Sequence, residues 1–177
     1  MSSDNANGAL LTVEDLSVRF HTRTGIVDAV RDISFSIGRE KVGIVGESGS
    51  GKTMTGRSVL RLIRPPGVVT AKRMEFDGKD LMTLSEKEMR QIRGDRISMV
   101  MQDPKYSLNP VMTIGEQIAE AYRVHTGASK REAIERALEM LSAVKIRDPE
   151  RVLGLYPHEV SGGMGQRIMI AMMLIPD

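Results

Sequence analysis

The chain has no cysteine and no tryptophan, and only three tyrosines and three phenylalanines in 177 residues. Disulfides, thiolate metal sites and thiol nucleophiles are therefore excluded. So few rings leave little on which bases could stack, and the formal net charge is only +2. No nucleic-acid partner is expected. Arg61, Arg64, Lys72 and Arg73, and again Arg90, Arg93 and Arg96, read as solvated faces rather than anion sites. Long hydrophobic runs are missing too. The longest, Ile168 to Ile175, is far short of the roughly 20 residues that a membrane-spanning helix needs. Work at a membrane would pass through a partner. Met1 to Ala9 is polar and small, without a basic start or an apolar centre. It reads as a disordered tail and not as a signal peptide.

What is present is a phosphate cradle. Gly46-Glu47-Ser48-Gly49-Ser50-Gly51-Lys52-Thr53 fits G-x-x-x-x-G-K-[ST], the P-loop. Lys41 to Val45 before it reads as a short buried strand, and Lys52 to Ile63 after it as a helix. A loop at a helix N-terminus offers free N–H groups and the positive end of the helix dipole to an anion. Gly46, Gly49 and Gly51 permit close phosphate approach. Lys52 brings a charge to the β- and γ-phosphates of a nucleoside triphosphate, and the Thr53 hydroxyl a ligand for Mg²⁺. A Gly/Ser-rich turn without a ligand is the plainer alternative. The strand-loop-helix context favours the phosphate.

Leu10–Phe20 and Ala29–Ile37 read as strands joined by a turn at His21–Gly25. Pro65-Pro66-Gly67 is expected to end the P-loop helix. Arg73–Phe76 and Asp80–Met82 are short strand candidates around Asp77-Gly78. Ser85 starts a helix to about Ile92 with Glu88 at the capping-box position. Ile97–Met101, almost wholly apolar, reads as a buried strand of the parallel kind. Asp103–Pro110 is a loop. Thr113 and Ser129 cap helices running to about His125 and Val144, with apolar residues at helical spacing. Asp148–Pro157 is a connector, and Ser161 caps a last helix to about Leu174. Met169, Met172 and Met173 read as helix core.

The string Val160-Ser161-Gly162-Gly163-Met164-Gly165-Gln166-Arg167 resembles the signature motif of ATP-binding-cassette (ABC) ATPases, commonly LSGGQ. GESGSGKT, QDP followed by SLNP, TIGEQIAE and YPHEVSGGMGQR resemble the peptide/nickel importer branch, and the resemblance spans about Leu11 to Asp177. It implies an α/β P-loop core with an antiparallel β subdomain at the N-terminal side and an inserted helical subdomain near 106–160. One ABC domain would occupy 10–177 behind a tail of 1–9. The cofactors implied are ATP and Mg²⁺. Ser161, Gly162, Gly163 and Met164 would grip the γ-phosphate of ATP on a second ATPase subunit, identical or related. Gln102 matches the Q-loop glutamine, which contacts Mg²⁺ and the attacking water, so that Gln102 and Lys52 are the catalytic candidates. Integral membrane permease subunits are implied as partners, a solute-binding protein indirectly, and a peripheral place on the cytoplasmic face of the inner membrane. Val160 and Met164 stand where Leu and Gln are usual. For the aromatic that stacks adenine, Thr22 falls near the place and Phe20 is the nearest ring; the contact is left unassigned.

The family also uses a Walker B Asp, a Glu that activates water, and a switch His. None is expected within these residues. Asp177 is not assigned as the Walker B Asp, because Pro176 cannot donate within a central strand. His21, His125 and His158 do not hold the switch position. The core sheet is thus expected to be incomplete, and the chain alone to bind ATP without efficient turnover. A non-hydrolytic nucleotide-binding fragment or regulator is the alternative function. A repair or chromosome-organising cassette is disfavoured, since no sustained heptads separate Lys52 from Ser161.

Overall fold

A computed structural model describes residues 8–103 and 107–176. Most of the expected N-terminal tail, the middle of the expected loop after Gln102, and Asp177 lie outside the described residues. The chain divides into two compact units, residues 1–89 and 90–177.

The first unit is an antiparallel sheet with one helix after the P-loop. Strands β1 (Leu11–Thr22) and β2 (Gly25–Ile37) form a long hairpin closed at Thr22↔Gly25. The other edge of β1 pairs with β3 (Gly67–Thr70) and β4 (Arg73–Phe76), and β4 continues to β5 (Lys79–Asp80). The β1–β2 register slips three times between Val13 and Arg19. Asp15 and Asp32 sit at these slips with φ of 51° and 42°, values that asparagine-like side chains tolerate because they can bond locally. Ser17 Oγ donates to Asp32 Oδ1 at 2.7 Å, and Asp15 N–H donates to Ser34 Oγ at 2.9 Å. Val13, Leu16, Val18, Met74 and Phe76 fill the buried face. The basic residues here serve their own chain: Lys72 and Arg73 reach Glu14 at 3.3 and 3.7 Å.

Helix α1 (Lys52–Val59) is shorter than the sequence suggests. It does not wait for Pro65. Arg61 takes a left-handed φ of 52°, and its N–H bonds to Ser58 O while that of Leu62 bonds to Arg57 O. This is a Schellman stop without glycine. The Arg61 guanidinium donates to Leu84 O at 2.6 Å and Leu81 O at 3.3 Å, which fixes the strained residue. β3 was not anticipated, and Leu81 and Met82 lie beyond β5.

The two expected core strands do not form. Residues 41–47 are irregular and exposed, Val45 to 97%. Residues 98–101 are irregular as well, and only an isolated parallel bridge, Arg93↔Ile97, survives. An apolar run becomes a strand only through hydrogen bonds to a neighbour, and no ladder partner for either run exists among the described residues.

The second unit is helical. Helix α2 (Glu86–Ile92) runs across the boundary, followed by α3 (Ile114–Thr126), α4 (Lys130–Ala143), α5 (Pro149–Leu153), a 3₁₀ turn at Pro157–Glu159, and α6 (Gly162–Leu174). The expected connector thus holds one short helix, and the 3₁₀ turn begins at its last residue. Ile114, Ile118, Ala137, Leu141, Ile168 and Ala171 form one buried cluster. The capping chemistry is as the sequence implies. Thr113 and Glu116 form a full capping box on α3, and Ser129 and Ser161 accept from Glu132 and Met164 N–H groups. No helix among the described residues is long and apolar enough to cross a membrane.

Candidate phosphate site and signature helix

The P-loop hangs on β2 through one glycine. Gly51, the residue before α1, has φ of 90°, and a Cβ there would stand 2.5 Å from Ala29 O and 3.2 Å from Val30 Cγ2. No side chain caps α1, so its first N–H groups are not taken up by a cap. Gly49 has φ of 85°, and Ser50 N–H closes a turn onto Glu47 O at 3.2 Å. Lys52 folds back over the loop. Its Nζ donates to Gly46 O and Glu47 O, both at 2.7 Å, and to Ser50 Oγ at 3.3 Å. Thr53 and Ser48 are exposed. A concavity of about 490 Å³ lies beside the loop, lined by Lys52, Ser50, Gly46, Val30 and Thr55 among others. Bare N–H groups, a lysine ammonium and an exposed hydroxyl are a donor set for a polyphosphate with its divalent cation.

Near the hairpin end, Phe20 is half-buried and pairs with Gly67, where a Cβ would stand 2.7 Å from the ring. Thr22 Oγ1 donates to Gly25 O at 2.7 Å and so closes the turn.

The signature residues and Gln102 belong to the second unit. Ser161 Oγ accepts the Met164 N–H at 3.3 Å, while Ser161, Gly162 and Gly163 are exposed and the space around both glycines is open. Met164 is half-buried and packs on the helical cluster. A second concavity, about 500 Å³, opens at this helix end between Leu108, Pro110, His158, Val160, Ser161 and Gly162. His158 in this lining stacks on Tyr156 with centroids 5.8 Å apart. Arg167 ties α6 to the end of α4 by donating to Lys145 O at 2.9 Å. Gln102 is exposed on irregular chain.

Sequence reasoning passed over Gln117, which is 4% exposed and hydrogen-bonded through both its oxygen and its nitrogen. The signal was its place on the apolar face of α3, between Ile114 and Ile118. It also did not foresee the pairing of Gly67 with Phe20, which is far away in sequence. No group of three or more His, Asp or Glu suited to a metal occurs among the described residues.

Comparison with known proteins gives a consistent picture. The ABC transporter family model matches residues 30–177. The chain is 48% identical over 176 residues, 98% of its length, to the probable peptide ABC transporter ATP-binding protein y4tR of Sinorhizobium fredii, covering 52% of that protein. It is 49% identical to the dipeptide transport ATP-binding protein DppD of Escherichia coli, over 93% of this chain and 50% of that one. The chain thus spans about half the length of these curated relatives. Among solved structures, dimeric MJ0796, a bacterial ABC transporter cassette, matches with a TM-score of 0.80 at 27% identity, over 94% of this chain and 69% of that one. The same cassette is known in a post-hydrolysis state bound to ADP and Pi. From its motifs, its fold and these matches, the chain belongs to the ABC transporter family.

Proposed function

We propose that this chain is the ATP-binding part of an importer that couples ATP binding and hydrolysis to uptake of peptides or a related small solute. The observation that supports ATP binding is the P-loop cradle: Gly51 seated against Ala29 O, an uncapped α1, and the Lys52 ammonium over the loop; the solute class draws on the similarity to peptide and dipeptide transport ATP-binding proteins. Lys52 would engage the β- and γ-phosphates and Thr53 the Mg²⁺. Gln102 would contact Mg²⁺ and the attacking water. Ser161 to Met164 would meet the γ-phosphate of ATP held by a second ATPase subunit, identical or related. Dimeric MJ0796 is a cassette pair of that kind. Integral membrane permeases would be the direct partners, a solute-binding protein an indirect one, and the cytoplasmic face of the inner membrane the place of work. The helical subdomain near 106–160 would serve the permease.

Phosphoryl transfer rests on positioning and electrostatics. The 177 residues by themselves bind ATP and do not turn it over efficiently. The second reading is a non-hydrolytic nucleotide-binding module or regulator. Uptake of labelled dipeptide in cells that depend on this gene separates the two. Uptake lost in Lys52→Ala supports the importer, and uptake indifferent to Lys52 supports the regulator. For the isolated chain, turnover on the order of one per second, abolished by Lys52→Ala, would overturn the binding-only statement.

A further inference from the structure

Gln117 is a buried carboxamide whose oxygen and nitrogen are both hydrogen-bonded. Its Oε1 accepts the Asn109 N–H at 2.7 Å. Its Nε2 donates to Asn109 O at 3.1 Å, Met112 O at 3.0 Å and Thr113 O at 3.4 Å. The side-chain amide therefore pairs with the main chain of Asn109 as one strand pairs with another, donor to acceptor on both sides. Turning the amide round would set its NH₂ against the Asn109 N–H and its oxygen against carbonyls, so the orientation is forced. The same turn is tied twice more, by Val111 N–H to Asn109 Oδ1 at 3.2 Å and by Met112 N–H to Asn109 O at 3.3 Å. Burying a carboxamide is costly unless its partners are all present. An apolar residue on this face of α3 would fill the space but take from the Asn109 N–H the acceptor it has in Gln117.

The turn has a second side. Asn109 lies between Leu108 and Pro110, and both of these line the concavity at the N-terminus of α6, facing Ser161 and Gly162. Leu108 is also part of the buried cluster that holds Ile168 of α6. Gln117 grips the one residue between the two that form this wall. The α3 end is likewise joined to the segment before α6: Ile114 N–H donates to Leu155 O at 2.8 Å, and a Cβ on Gly115 would stand 2.9 Å from Leu153 O.

We propose that Gln117 is a positioning residue for the signature end of α6, acting through the Asn109 turn on the wall that faces Ser161 and Gly162. It touches no nucleotide; it sets the surface beside the phosphate-gripping helix end. This rests on the reading of Ser161 to Met164 as a phosphate contact. Without Gln117 the α6 N-terminus keeps its Ser161 cap but loses the fixed wall next to it.

The test is amide-resolved NMR on the nucleotide-free chain as it stands, comparing the parent with Gln117→Met and Gln117→Glu. Methionine keeps the size and removes all the bonds. Glutamate keeps the acceptor for Asn109 N–H and turns a carboxylate towards the Asn109 and Met112 carbonyls. In Gln117→Met the Asn109 amide should exchange roughly tenfold faster, the loss of about one buried hydrogen bond. In Gln117→Glu that amide should stay protected. In both variants the Ser161, Gly162 and Gly163 amide resonances should move, while Gly49 and Gly51 stay in place. Displacement of Asn109 alone, with the α6 end unmoved, would reduce Gln117 to a loop staple and overturn the proposal. A collapse of all α3 and α4 resonances in Gln117→Met leaves Gln117→Glu to decide by the same criterion. Adding magnesium and a non-hydrolysable ATP analogue to the parent chain tests the underlying reading separately. If Gly162 and Gly163 never respond to it, the phosphate role of α6 in this chain fails, whatever the Gln117 variants do.

Discussion

The two glycine-rich helix starts solve related problems in opposite ways. At α1 no side chain caps the helix, a lysine folds over the loop, and the last glycine is pressed onto β2. At α6 a serine caps the helix, the two glycines face open space, and no lysine follows. In the function proposed above, the first site, with its own cation and bare N–H groups, holds a polyphosphate alone. The second has the Met164 N–H already engaged by Ser161 and offers its remaining first-turn N–H groups and the helix dipole, with no lysine of its own. It suits a phosphate that is already held elsewhere. The same contrast explains why one site tolerates no Cβ at its hinge and the other has room to spare.

The largest way to break this comparison is Gly51→Ala. The substitution combines a positive φ with a clash against a main-chain oxygen that cannot rotate away, at a cost on the order of 3 kcal/mol. ATP binding should disappear and the first unit should melt earlier, read by calorimetry and by a fluorescent nucleotide. The corresponding change at α6, Gly162→Ala, meets nothing within 4 Å and should leave stability within about 0.5 kcal/mol.

Lys52→Ala comes next. Losing charge-assisted bonds to phosphate costs about 2–3 kcal/mol, or roughly 30- to 150-fold in affinity, without a comparable loss of stability. Ser161→Ala is smaller and of the other kind. Removing the cap should lower stability by about 1 kcal/mol, seen as a fall in Tm, while ATP affinity at the P-loop stays unchanged. A fall in affinity equal to that of Lys52→Ala would erase the distinction between the sites.

The smallest effect is a pH dependence at the capping boxes. Hydrogen bonds from the Thr113 N–H and hydroxyl hold the Glu116 carboxyl below its usual range. The Ser85 hydroxyl and N–H do the same for Glu88. For a carboxyl whose folded value is depressed, the stabilisation is present above the unfolded value, about 4.3, and is lost as pH falls through the folded value. Acid melts followed by circular dichroism should show Glu116→Gln flattening the decline below that pH, with no change at neutral pH beyond the missing cap.

Sequence legibility followed the range of the interaction. Helix starts were readable because Thr113, Ser129 and Ser161 act on a residue three positions on. The P-loop was readable because its glycines and lysine act within one turn. Lys41–Val45 and Ile97–Met101 have the composition of strands, yet a strand is made by its neighbour, and β1 and β2 succeed because a two-residue turn supplies one. The early end of α1 was hidden because the guanidinium that steadies Arg61 bonds to carbonyls twenty or more residues away. Gln117 was hidden because its value lies in three bonds to a loop that no periodicity describes.

The most direct measurement is equilibrium binding of Mg·ATP to the parent chain, Lys52→Ala and Ser161→Ala by titration calorimetry. The account predicts one saturable site in the parent, roughly 30-fold or more weaker in Lys52→Ala, and unchanged in Ser161→Ala. No saturable binding in the parent, or equal binding in Lys52→Ala, would contradict it.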